Sequence, residues 1–156
     1  PLGVVPALLV DGRPMMESLA ISLFLADAFP AAGLAPDVAS PDRGLYYQWM
    51  VYATATVEPR LSAAFIRGLG RSSADRLSVA TAEERWAFAT VLAPVERGMA
   101  RGHLLESGLS AADIVLASEL YWASQVGLLA DAAEAQRYLS TLMKRPACPR
   151  VEPTPA

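Results

Sequence analysis

The order of apolar and polar positions predicts a hairpin first. Ala7, Leu8, Leu9 and Val10 form a short apolar run, Asp11-Gly12 supplies a two-residue turn, and Arg13, Pro14, Met15 and Met16 lead back. Both turn positions tolerate the positive φ that such a connection requires. Pro14 has no N–H to donate, so it belongs at an edge or a non-bonded position. A helix is predicted next, from Ser18 to about residue 29. Its apolar residues Leu19, Ile21, Leu23, Phe24, Leu25 and Phe29 cover most of the circumference, and Asp27 is the one charge within it. A helix apolar nearly all round is covered on two sides. Pro30, Gly33, Pro36 and Pro41 then interrupt the pattern and place a domain boundary in 30–40.

Beyond that break the pattern is helical throughout. Ser40 reads as a cap with Pro41 at the first helical position, opening a helix through Tyr46, Tyr47, Trp49, Met50 and Tyr52 to about residue 57. A continuation after Pro59 carries Leu61, Phe65 and Ile66 and stops at the glycines of 68–70. Thr81 with Glu84 has the spacing of a capping box, ahead of a helix carrying Trp86, Phe88, Val91, Leu92, Val95 and Met99. Ser110 with Asp113 opens another, which runs to Gly127. Leu109 is set to pack on Ile114 as a hydrophobic staple. A last helix spans about 132–144 and ends before Pro146. Pro149, Pro153 and Pro155 mark a tail, and there is no internal repeat.

Composition narrows the class. Hydrophobic residues make up 53% of the 156 positions and charged residues 19%, which excludes a disordered chain. The net charge of -3 argues against a nucleic-acid partner. The longest uncharged stretch, 44–57, contains Gln48, Thr54 and Thr56 and is too short for a membrane span. The expectation is a soluble globular protein with a large core and enough apolar surface for an oligomer interface. One cysteine, Cys148, allows no disulfide within the chain, and one histidine, His103, leaves too few ligands for a zinc site. No basic region followed by an apolar run opens the sequence as a secretory signal would. These features suit the cytoplasm, and no metal is expected. The chain starts at Pro1, inside what reads as a loop.

A lone hairpin is marginal in water, so this one is expected to belong to a larger sheet. The residues say which. Pro1-Leu2-Gly3-Val4-Val5-Pro6-Ala7-Leu8, then Asp11-Gly12, then Glu17-Ser18-Leu19-Ala20-Ile21, resemble the second half of the thioredoxin-like N-terminal domain of glutathione transferases. Ser110-Ala111-Ala112-Asp113-Ile114 resembles the start of the central helix in that family's all-helical C-terminal domain, and Arg145-Pro146-Ala147 its last helix ending. Each motif is weak alone, but they occur in order at plausible separations across the chain. The resemblance implies a mostly α protein. A partial thioredoxin-like α/β domain (hairpin plus helix, 1–30) is followed by a linker (31–40), a helical bundle (41–148) and a tail (149–156).

The resemblance also implies a site. Pro6 matches a cis-proline, whose neighbour Val5 would offer its backbone N–H and C=O to the cysteinyl part of glutathione as an added strand would. Ser18 matches a serine at a helix start that binds the γ-glutamyl carboxylate through hydroxyl and N–H. Glu17 would face the γ-glutamyl amino group. On the residues alone, Pro6 also reads as an edge proline, Ser18 as a helix cap and Glu17 as a first-turn acid. Ser110 and Asp113 are assigned to folding, not chemistry. Tyr46, Trp49 and Met50 lie on the helix that in the family lines an electrophile pocket and a dimer interface, although aromatic stripes at this spacing are usually core. His103 and Cys148 read as bystanders.

The function implied is glutathione transfer to a small apolar electrophile by a homodimer, with glutathione as co-substrate. The thiol-activating residue is expected upstream of Pro1, with the first βαβ unit. Two alternatives stay open: a non-catalytic dimerisation or scaffolding module, and a glutathione-dependent isomerase or thiol-exchange enzyme.

Overall fold

The computed structural model describes residue 3 and residues 5–148. Pro1, Leu2 and Val4 of the N-terminal motif, and the tail 149–156, lie outside the described residues. The predicted hairpin is present as β1 (Leu8–Val10) and β2 (Arg13–Met15), paired antiparallel with Leu8 opposite Met15 and Val10 opposite Arg13. Asp11 and Gly12 both take positive φ, 47° and 77°, as the tight turn requires. Helix α1 (Ser18–Ala28) follows, then a 3₁₀ turn at Pro30–Ala32 and an irregular connection.

The helical body starts at α2 (Arg43–Tyr52), not at Ser40. Ser40 instead closes its own turn. Its N–H donates to the Asp37 carbonyl, its carbonyl accepts from the Arg43 N–H, and its Oγ accepts from the Asp42 N–H at 3.2 Å. The two helices expected on either side of Pro59 form one rod. Helix α2 passes through a π-helical turn at Ala53–Val57 into α3 (Glu58–Gly68). Proline lacks an N–H, and its ring crowds the carbonyl four residues back; the wider turn ahead of Pro59 accommodates both. The buried stripe Tyr46, Met50, Ala53, Val57, Leu61, Ala64 continues along the whole rod.

Two further departures have local causes. The short helix α4 (Ser73–Arg76) was not expected; Ser72 caps it by accepting from the Asp75 N–H. The helix expected through Met99 is divided by Pro94. Helix α5 (Ala82–Leu92) gives way to a 3₁₀ turn at Ala93–Val95 and then to α6 (Glu96–Arg101). The predicted Thr81–Glu84 box is formed: the Thr81 N–H donates to Glu84 Oε2 at 3.0 Å and the Glu84 N–H to Thr81 Oγ1 at 3.1 Å. Arg67 binds the same carboxylate, and these contacts hold Glu84 below the usual carboxylate range.

Helix α7 (Ala111–Gln125) is the axis of the fold. It packs against α1, α2, α3, the π turn and the last helix, α8 (Ala133–Met143). Its stop is sterically enforced at Gly127, where φ is +79° and a Cβ would sit 2.1 Å from the Leu77 carbonyl oxygen. At its start lies Asp113, fully buried. The Asp113 carboxylate accepts from the Ser110 N–H at 2.7 Å, the Ser110 hydroxyl at 3.0 Å, the Leu104 N–H at 2.7 Å and the Tyr138 hydroxyl at 2.6 Å. Burial, reinforced by the Asp113 charge, drives the Tyr138 phenol well above its ordinary pKa and keeps it a donor. Leu109 packs on the core, whereas Ile114 remains 44% exposed.

Two outcomes follow from this arrangement. Replacing Asp113 by Ala strands several buried donors, and should lower the unfolding free energy in urea by about 3–5 kcal/mol, against about 1 kcal/mol for Ser110→Ala. Glu119, on α7, has its carboxyl raised to about 7, first by burial and then by the Glu58 charge. A carboxyl with a raised folded-state pKa favours folding while protonated, and that contribution drains away as pH climbs from the usual carboxylate range to about 7. Glu119→Gln should therefore be more stable than the parent at pH 8, and the gap should close toward pH 4.5. Denaturant midpoints at the two pH values check this.

Candidate functional site

The hairpin brings the four predicted site residues to one end of the molecule. Its register pairs Leu8 with Met15. Val5 and Pro6 lie just ahead of β1, and Glu17 and Ser18 just beyond β2, so the two pairs flank the open end of the hairpin, away from its Asp11-Gly12 turn. The Val5–Pro6 peptide bond is cis, the isomer the sequence resemblance implies. Val5 is 92% exposed, and Pro6, Glu17 and Ser18 are exposed as well, so their polar groups open to solvent.

Glu17 is the anomalous residue of this group. It sits at φ 70° and ψ 111°, a conformation that costs a non-glycine residue energy and persists only where the surroundings impose it. From that position it precedes α1 and turns the chain into the helix. Its carbonyl accepts the first helical hydrogen bond, from the Ile21 N–H at 2.9 Å. No side chain caps this helix start. The Ser18 hydroxyl is therefore not used as the N-cap the residues alone suggested. The leading N–H groups of α1, with the positive end of the helix dipole, face outward together with that hydroxyl. Such a helix start suits a carboxylate.

The aromatic residues expected to line a pocket sort differently. Tyr46 and Met50 are fully buried in the core, and Trp49 packs against it, edge-on to Tyr52 at 5.7 Å. The large apolar residues of α2 that are exposed are Leu45, Tyr47 and Val51. His103 contacts the Leu105 carbonyl through Nδ1, and Cys148 Sγ lies 3.4 Å from Met143 Sδ. Both contacts are local. Among the described residues, an apolar groove of about 470 Å³ lies between α1 and α7, lined by Leu25, Phe29, Leu34, Ala111, Ile114 and Val115. Glu17 and Ser18 are not among its lining residues.

One cluster escaped the sequence reading. One guanidinium nitrogen of Arg43 at the start of α2, Nη2, donates to both carboxylate oxygens of Asp27, the single charge of α1, at 2.7 Å each. Arg43 also donates to the Pro36 carbonyl at 2.7 Å and lies over the rings of Tyr46 and Tyr47, 5.2 and 4.7 Å from their centroids. Its side chain is only 7% exposed. The hydrogen bonds to Asp27 raise its pKa further, so it stays charged. Burial raises the Tyr46 phenol, whose hydroxyl has no partner among the described residues. A lone acid in an apolar helix, followed by an arginine just after a proline-rich break, was the available signal.

No protein-family model and no curated protein matches the sequence. Solved structures do. A sphingomonad glutathione S-transferase, in complex with glutathione, is 30% identical with a TM-score of 0.68 and covers 95% of this chain and 72% of its own. BphK, a bacterial glutathione transferase solved as a ternary complex, is 26% identical with a TM-score of 0.75 over the same shares. A glutathione transferase from Methylococcus capsulatus, 23% identical with a TM-score of 0.76, shares the fold. The chain belongs to the glutathione transferase family. Its fold is the hairpin and helix of a thioredoxin-like domain joined to an all-helical body, and among the described residues no helix is long and apolar enough to cross a membrane.

The backbone at Glu17 gives a direct check. Glu17→Gly relaxes a conformation that glycine adopts freely, so stability should hold or rise, by up to about 1 kcal/mol. A marked drop in the thermal midpoint would mean that the Glu17 side chain holds the turn in place.

Proposed function

We propose that this protein is a glutathione-binding transferase that gathers the tripeptide at the shared end of the hairpin and α1. The open start of α1 is the observation that carries the reading. Val5, Glu17 and Ser18 are all exposed, and the start of α1 at Ser18 has no side-chain cap, which leaves a backbone segment, a carboxylate and a helix start with its hydroxyl for a ligand to use. Glutathione has the complementary set. Its γ-glutamyl carboxylate suits the helix start, its ammonium suits the Glu17 carboxylate, and its cysteinyl amide suits an extended backbone such as that of Val5. The 30% identical sphingomonad enzyme in complex with glutathione supports the same reading.

In this proposal the residues of the chain bind and orient. They hold the tripeptide by its γ-glutamyl end and its cysteinyl backbone so that its thiol is presented at a constant place, converting a diffusional encounter into a positioned one. The reaction is attack of the thiolate sulfur on an apolar electrophile. A carbon–sulfur bond forms, the thiol proton is released, and the electron pair of the bond broken in the electrophile moves onto the leaving group or adjoining atom. No side chain of this chain is assigned to thiol activation. A homodimer in the cytoplasm completes the proposal; the apolar side chains of Leu45, Tyr47, Val51 and Trp86, which reach solvent, are compatible with a partner subunit.

Glu17→Ala and Ser18→Ala, measured by titration calorimetry with glutathione, should each weaken binding about 10-fold while the far-UV circular dichroism stays that of the parent. Retention of both variants on immobilised glutathione, undiminished relative to the parent, would overturn the assignment.

A further inference from the structure

We propose that Arg43 and Asp27 are positioning residues: their ion pair sets the angle of α1 against the helical body, and so the placement of the Glu17–Ser18 end that the proposed glutathione site uses. The inference rests on that reading of the site and adds residues at the opposite end of the same helix, which do not contact the tripeptide in it.

The joint between α1 and the body has few directional contacts. Apolar packing of Ile21 and Ala26 is non-directional and tolerates sliding. Beside it, an open apolar groove runs along the α1–α7 contact. The connection through the 3₁₀ turn and residues 33–42 is irregular, tied to α7 by the Ala111 N–H donating to the Leu34 carbonyl at 2.7 Å. The Arg43–Asp27 pair is different in kind. Nη2 of the planar guanidinium donates to both oxygens of the Asp27 carboxylate while Nη1 donates to the Pro36 carbonyl, so the guanidinium is held by two partners on different segments and fixes where Asp27 sits relative to both. Arg43 itself has little freedom, since it is buried, donates to the Pro36 carbonyl and lies over two tyrosine rings. It is a rigid fork mounted on the body, and Asp27 is the one charge on α1 that it can hold.

The leverage follows from helix geometry. Asp27 and Ser18 are nine residues apart on α1, about 13 Å along the axis at 1.5 Å per residue. A tilt of about 10° at the clamp would displace the Ser18 end by roughly 2 Å, more than a hydrogen bond tolerates. Loss of the clamp should therefore appear as lost affinity for glutathione at a site more than a nanometre away.

The test is calorimetric titration of the parent protein and four variants with glutathione, well below their unfolding midpoints. Asp27 is half exposed, so Asp27→Asn and Asp27→Glu keep the packing. Asp27→Asn should weaken glutathione binding about 3- to 10-fold, and Asp27→Glu, which retains the carboxylate, should recover most of the loss. Arg43→Lys keeps the charge without the fork and should match Asp27→Asn, which covers the case in which one variant does not fold. Hydrogen exchange of the α1 amides should quicken in both clamp variants. Ser18→Ala is the reference. Weakened binding in Ser18→Ala with parental binding in Asp27→Asn and Arg43→Lys would overturn the clamp and leave the site. Parental binding in Ser18→Ala would overturn the site itself.

Discussion

A single buried carboxylate joins the three parts of the helical body. Asp113 has no access to water, so each of its lone-pair directions must be met inside the protein, and four donors meet them. Two come from Ser110, which fixes the start of α7. One comes from Leu104 in the segment after α6, and one from Tyr138 on α8. An ionised group in an apolar interior is tolerated only when compensated this fully. The central helix, the loop ahead of it and the last helix therefore form around that carboxylate together. The α2–α3 rod, α8 and α1 pack on α7, while α5 reaches the core against α3 and the π turn and α6 against α8.

The two chemical uses of a helix start are separated in this chain. At α7 the leading groups are sealed by a capping box and buried side chains. At α1 they are left without a cap, beside a residue held in an unfavourable backbone conformation. Sequence at the two starts is similar, an acid and a serine ahead of an apolar run, yet the order differs. Ser110 precedes its acid by three residues, which lets the carboxylate fold back. Glu17 precedes its serine directly, and from there its side chain cannot reach back to the first turn in the same way. The chain thus uses one arrangement for folding and the other for an exposed, polar end.

The hairpin, α1, the two capping boxes and the ends of α7 and α8 were legible because they depend on neighbours in sequence: a tight turn, an N-cap, a glycine stop, a proline. The resemblance of 1–8, 17–21 and 110–114 to glutathione transferases reached the family before any coordinates did. What escaped depended on partners distant in sequence or on competing local bonds. Ser40 has every mark of a cap but is engaged by Asp37 and Asp42 in a turn of its own. The aromatic stripe gave the right helix, but which rings face α7 is decided by the rotation of the rod, and Tyr46 went inward while Tyr47 went out. The Arg43–Asp27 pair spans 16 residues; the lone acid and the arginine after the proline-rich break each stand out, but nothing local says that they meet. Pro94 is a local signal as well, but the apolar spacing on both sides of it reads as one continuous helix, and only the packing shows the break.

The wide turn between Tyr52 and Pro59 has a consequence for how this rod could vary among relatives. A π turn carries about one residue more than an α turn. Losing one of Ala53, Thr54, Ala55, Thr56 or Val57 would tighten it to an ordinary helical turn and leave Leu61 and Ala64 nearly in place, whereas a loss elsewhere in the rod would rotate everything beyond it by about 100°. The cost of the shorter form would fall on Pro59, whose ring would then meet the carbonyl four residues back in a regular helix.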